Sequence, residues 1–170
     1  LSIAGARAQA VLLDALDAIE VLDHRQEPPV VTRWETARSL SHLALSPTSE
    51  HVIAYYDWDD SRAGDRQPEP GNINQVSVLS LRGDVGDFVD NDLRLINIAV
   101  PFLPRDIRFS SDGTRAVVIS REALTTIELS HDDIVARPER TLGFDADAAE
   151  IRITNDASFA IVRYSESGRL

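Results

Sequence analysis

The chain alternates apolar and polar positions in short runs rather than long ones. In Asp106-Ile107-Arg108-Phe109, apolar residues fall at every second position; Ser110-Ser111-Asp112-Gly113 supplies turn chemistry, and Ala116-Val117-Val118-Ile119 follows. Two-residue periodicity, a polar turn and a second apolar run predict a β-hairpin. Gly113 suits a backbone position with positive φ. The pattern recurs. Glu150-Ile151-Arg152-Ile153-Thr154-Asn155-Asp156-Ala157 leads into Phe159–Val162, and His42-Leu43-Ala44-Leu45-Ser46-Pro47-Thr48-Ser49 leads into His51–Tyr55. A fourth copy opens the chain around Gly5.

The equivalent turn positions are Gly5, Ser49, Gly113 and Ala157, spaced by 44, 64 and 44 residues. Short strands repeating with a period in the forties predict β-propeller blades, each a four-stranded antiparallel sheet. The strands of a blade are lettered A to D. Laying residues 5–24 on 113–132 without gaps matches Gly5, Arg7, Ala8, Ala15, Leu16, Ile19 and Glu20 with identical residues. Roughly one or two such identities are expected from average composition. Helical periodicity competes in this segment, because Ala8, Val11, Leu12, Ala15, Leu16, Ile19 and Leu22 would form one helix face. The repeat outweighs it.

The predicted organisation is one all-β domain of a little over three blades. Residues 1–40 supply strands B, C and D of an incomplete blade. Residues 41–103 form a blade with an insertion, 104–148 a complete blade, and 149–170 strands A and B of another. Matching Val76 to Ile127 puts thirteen of the twenty extra residues of the second blade between its B and C strands and seven later. A propeller closes with about four to eight blades, so the expectation is a piece of a larger ring. Its missing blades, or another chain, would be its partners.

FSSDGTRAVVIS over 109–120, the strand LTTIELS over 124–130, and INQVSVL over 73–79 before Pro104 resemble blades of the YVTN or lactonase-like propellers. They are also similar to the WD40-like repeats of TolB-type proteins. The resemblance covers nearly the whole chain at the level of fold and repeat. Ser49 and Ala157 depart from it where a turn glycine is usual, and no YVTN tetrapeptide is present. It implies a seven-bladed ring as the family pattern, a location outside the bacterial cytoplasm (periplasmic, extracellular or lipoprotein-anchored), and a binding or scaffold role. The alternative it implies is a lactonase-type hydrolase with its active site mainly in other blades. A third reading is a repeat module whose sheet edges pair with another chain.

Composition narrows these classes. A net charge of −11, with no lysine among the 17 basic residues, argues against nucleic-acid and anionic-membrane surfaces. No apolar run approaches the roughly 18 residues of a membrane span. Cysteine is absent, which excludes disulfides and thiolate chemistry. By the family resemblance, B–C loops and D–A connections share the ligand rim. This gathers Trp58, Arg62, Arg66, Arg105, Asp145 and Asp147 as candidate ligand residues. Asp57, Asp59, Asp60 and Asp65 could offer oxygens to Ca²⁺, but Arg62 stands where an EF-type loop needs glycine. The cluster Asp84, Asp87, Asp90 and Asp92 is no better spaced, so solvated acidic turns and no cofactor are expected. Of His24, His42, His51 and His131, only His42, beside a channel-lining strand, is placed to meet a ligand. No catalytic motif is recognisable, and the balance favours binding over catalysis.

Overall fold

The computed structural model describes residues 2–4, 8–13, 18–23, 27–36, 40–57, 73–81, 95–129, 137–143 and 148–164. Among these, every regular element is a strand. Strands β1 (Ser2–Ala4), β2 (Ala8–Leu13), β3 (Ala18–Asp23) and β4 (Val30–Glu35) make the first sheet. The second comprises β5 (His42–Leu45), β6 (His51–Tyr55), β7 (Gln75–Ser80) and β8 (Leu95–Ala99). The third comprises β9 (Pro104–Phe109), β10 (Arg115–Ser120), β11 (Ala123–Glu128) and β12 (Arg137–Gly143). Finally, β13 (Ala148–Ile153) pairs with β14 (Ala160–Tyr164). Each four-stranded sheet is an antiparallel meander in chain order, the architecture of a partial β-propeller.

Neighbouring sheets stack face to face. Val52 and Ala54 of β6 pack with Ile19, Val21 and Trp34 of the first sheet. Ile53 and Tyr55, pointing the other way, pack with Ala116, Val118 and Ile127 of the third. All five residues of β6 are therefore buried. A strand covered on both faces reads as a continuous apolar run, not an alternating one. Each fully buried Ile or Val contributes about 1.5–3 kcal/mol by leaving water.

The A–B turns repeat atom for atom. Ser46 N, Ser110 N and Thr154 N donate to the carbonyls of His51, Arg115 and Phe159 at 2.9, 2.9 and 3.0 Å. Within the same turns Ser49 N, Gly113 N and Ala157 N donate back to Ser46, Ser110 and Thr154 at 2.9, 3.0 and 2.9 Å. The hydroxyls of Ser46, Ser110 and Thr154 each accept a backbone N–H from the start of the next strand. Ser49, Gly113 and Ala157 all have positive φ, at 60, 73 and 57°. Losing the glycine has not changed the turn.

Three expectations are corrected. The segment 1–40 carries four strands, because three-residue β1 pairs with β2 from Ser2–Val11 to Ala4–Gln9; a strand so short shows no alternation of its own. The ungapped match of 5–24 on 113–132 finds the right strands in the wrong register. It sets Ala8 opposite Ile19, as Ala116 is opposite Ile127, whereas Ala8 pairs with Asp23 and Leu12 with Ile19. The β1–β2 link is three residues against five in β9–β10, and β2–β3 is four against two, so no single offset serves both links. Lastly, Val52 pairs with Leu79 and Ala116 with Ile127. Strand B is thus displaced by 64 residues between these sheets and strand C by 48, so sixteen extra residues precede β7 and four follow it. The copy centred on Gly5 lies outside the described residues.

Candidate ligand rim

The D–A connection before β9 is clamped between two B–C connections. Leu103 N donates to Ile73 O at 2.7 Å, just ahead of β7, and Arg121 N, between β10 and β11, donates to Leu103 O at 3.1 Å. The Ser120 hydroxyl donates to Pro101 O at 3.1 Å. Leu103 takes a positive φ of 58° to serve both sides. Phe102, the residue before it, is 55% exposed. Here the D–A and B–C connections meet at one end of the stack.

At the same end, β5 and β6 set His42 opposite Tyr55. The rings stack with centroids 5.3 Å apart and planes at 29°. Ser41 Oγ lies 2.9 Å from His42 Nδ1 and accepts the Asp57 amide at 2.8 Å. Ser41 N donates to Tyr55 O at 3.0 Å, continuing the ladder past the strand end. The Tyr55 hydroxyl crosses to the next sheet and donates to Arg105 O at 3.2 Å. A half-buried imidazole, an aromatic face and polar backbone are thus held on two adjacent sheets. Tyr55 is buried and serves as the backing; the half-buried His42 imidazole is the group that can stack on flat groups or hydrogen-bond polar ones.

Of the six candidate ligand residues, the structure places Arg105 here, half-buried at the rim end of β9. Trp58, Arg62, Arg66, Asp145 and Asp147 lie outside the described residues, as do His24 and His131. His51 is buried in the sheet stack. Ser41 and Tyr55 went unnoticed in the sequence. The signal was there: a hairpin turning at Thr48–Ser49 brings His42 opposite Tyr55.

The first strands of the third and last sheets carry a repeated acid–Ile–Arg tripeptide. Arg108 pairs with Asp106 at 2.7 Å, and Glu150 holds both Arg152 at 2.8 Å and Arg163 at 3.1 Å. Hydrogen bonds from Arg152 and then Arg163 keep the Glu150 carboxyl below the usual carboxylate range. These pairs are solvent-exposed and contribute little stability. Among the described residues no three His, Asp or Glu side chains converge on a metal position. Of the proposed calcium ligands Asp57 alone is described; the cluster Asp84–Asp92 is outside. No helix among the described residues is long and apolar enough to cross a membrane.

No family model matches the sequence, and no curated protein matches it. Solved structures do match by shape. A 6-phosphogluconolactonase-like protein from Bacteroides uniformis shares 13% identity at a TM-score of 0.54, over 95% of this chain and 46% of its own. One from Bacteroides fragilis shares 10% at 0.52, over 86% of this chain and 39% of its own. Hydrazine synthase of Kuenenia stuttgartiensis shares 15% at 0.54, over 92% of this chain and 38% of its own. This chain therefore spans less than half the length of each. At such identities the likeness establishes the propeller-type fold.

Proposed function

We propose that the chain is a segment of a β-propeller that acts by binding, presenting the rim around His42 and Arg105, backed by the buried Tyr55, to a protein or small ligand. One observation carries this reading. The buried Tyr55 ring stacks on His42 while its hydroxyl bonds Arg105 O, fixing the imidazole across two sheets, and loops held on a rigid scaffold are where ligands are usually met. The family resemblance adds a location outside the bacterial cytoplasm. It also adds the second reading, a lactonase-type hydrolase, and the names of two structural neighbours keep that reading in play.

A His42→Ala/Tyr55→Phe double variant separates the two readings. Both proteins are assayed for 6-phosphogluconolactone hydrolysis and used as bait in an extract of the source cells. A captured component that is lost with the variant, without hydrolysis above the spontaneous rate, supports binding. Hydrolysis by the parent that the variant loses supports the enzyme. A variant equal to the parent in both assays overturns the role of this rim.

A further inference from the structure

Three polar groups meet beside His42, and one arrangement of their hydrogens uses all of them. Ser41 Oγ lies 2.8 Å from the Asp57 amide nitrogen and 2.9 Å from His42 Nδ1. A backbone N–H can only donate, so Oγ accepts from Asp57 and keeps one hydrogen and one lone pair. Nδ1 can either accept that hydrogen or donate to that lone pair. If it donated, the Ser41 hydrogen would have no protein acceptor among the described residues. If it accepts, amide, hydroxyl and Nδ1 are all satisfied, and the ring proton sits on Nε2.

The ring is also fixed in direction. Tyr55, buried and tied through its hydroxyl to Arg105 O, stacks against it with planes at 29°. The stacking limits tilting, and the bond to Ser41 limits rotation within the ring plane. Ser41 is in turn anchored at its backbone, where its N–H donates to Tyr55 O at 3.0 Å. Both ends of this small network therefore stand on β5 and β6, the same hairpin.

We infer that Ser41 is a positioning residue that holds His42 as the Nε2–H tautomer, so that the rim meets its ligand with a hydrogen-bond donor and selects flat groups carrying an acceptor oxygen. The inference rests on the rim reading above and adds the polarity of the ligand. A carboxylate is the strongest acceptor of this kind, because a hydrogen bond to an ionised partner is about twice as strong as a neutral one. A donor-only group such as an amidinium would set hydrogen against hydrogen at Nε2 and be rejected. The net charge of −11 works in the opposite sense, favouring cations at long range. A preference for the anion would thus come from the local donor.

Long-range proton–nitrogen NMR of the nitrogen-labelled protein, at about pH 8 and so above the usual histidine range, reads the tautomer directly. The parent should show a protonated Nε2 and a bare Nδ1 at His42. Ser41→Ala should move the ring toward a mixture of tautomers, and Ser41→Thr, which keeps the hydroxyl, should restore the parent pattern. Benzoate and benzamidine are then titrated as matched flat probes of opposite polarity. Benzoate should shift His42 Nε2 saturably and bind about tenfold more tightly than benzamidine, an advantage that Ser41→Ala loses. A protonated Nδ1 in the parent overturns the inference, as does an unchanged tautomer in Ser41→Ala. Benzamidine binding as tightly as benzoate, or neither compound perturbing His42, overturns the assigned ligand polarity. None of these outcomes decides the rim reading itself, which falls only if the His42→Ala/Tyr55→Phe variant matches the parent in capture and hydrolysis.

Discussion

A Cβ built on Gly113 would lie 2.7 Å from Thr48 Oγ1 and 2.9 Å from Thr48 Cγ2. The A–B turns of the second and third sheets thus touch where only a hydrogen fits. Gly113 also holds a φ of 73°, a region β-branched residues avoid. Gly113→Val should therefore destabilise by about 2–4 kcal/mol, from backbone strain and the displaced Thr48 together. Chemical denaturation checks this, and a midpoint equal to the parent's would refute the turn assignment. Gly113→Ala in a Thr48→Ala background should recover part of the loss, because the contact is relieved and the strain is not.

The same turn makes the opposite prediction at its non-glycine copies. Ser49 and Ala157 occupy the left-handed region at φ 60 and 57°. Ser49 also buries its hydroxyl with no hydrogen-bond partner among the described residues. Ser49→Gly should stabilise by about 1 kcal/mol, the relief of strain and of an unsatisfied hydroxyl exceeding the added chain entropy. Ala157→Gly lacks the second gain and should stabilise less. A fall in melting temperature for Ser49→Gly would show that the hydroxyl is satisfied in solution.

These turns were the most legible part of the sequence, because serine, aspartate and glycine act locally through hydrogen bonds spanning two to five residues. Strand register was less legible. It depends on link length, and the shorter β1–β2 and longer β2–β3 links mimic a constant offset while shifting the partner of Ala8 from Ile19 to Asp23. Strand type in the first sheet was obscured for another reason. Ala18 and Ile19, adjacent in β3, are both fully buried, so the two-residue alternation fades and a helical face can be traced through Ala8–Leu22. At the rim, His42 was visible as a residue beside an inner strand. Its stacking on Tyr55 became visible only once the hairpin fixed which residues oppose.

Asp112 and Asp156 make the turns pH-dependent. Hydrogen bonds from the Ser110 hydroxyl, the Thr114 amide and the Thr114 hydroxyl lower Asp112 from 3.8 to about 2. Thr154 and Ser158 do the same for Asp156, also to about 2. A carboxylate whose pKa is depressed in the folded state contributes stability above its unfolded pKa and loses it as pH falls through the folded one. The window is therefore roughly pH 4 down to pH 2. Asp112→Ala should lower the urea midpoint at pH 7, with the difference from the parent shrinking across that window. A difference that stays constant from pH 7 to pH 2 would mean that the carboxylate charge plays no part.

Two isoleucines at opposite ends of the burial scale test the stacking of the sheets. Ile127 is fully buried between the second and third sheets, in contact with the cluster that holds Ile53, Val76 and Val118. Both faces of that interface are closed, so the surroundings can relax only partly into a cavity. Ile127→Ala should cost about 2–5 kcal/mol. Ile161, on β14, is 70% exposed, and Ile161→Ala should change stability by less than about 0.5 kcal/mol. A large effect of Ile161→Ala would show that its side chain is buried in solution, against the exposure found here.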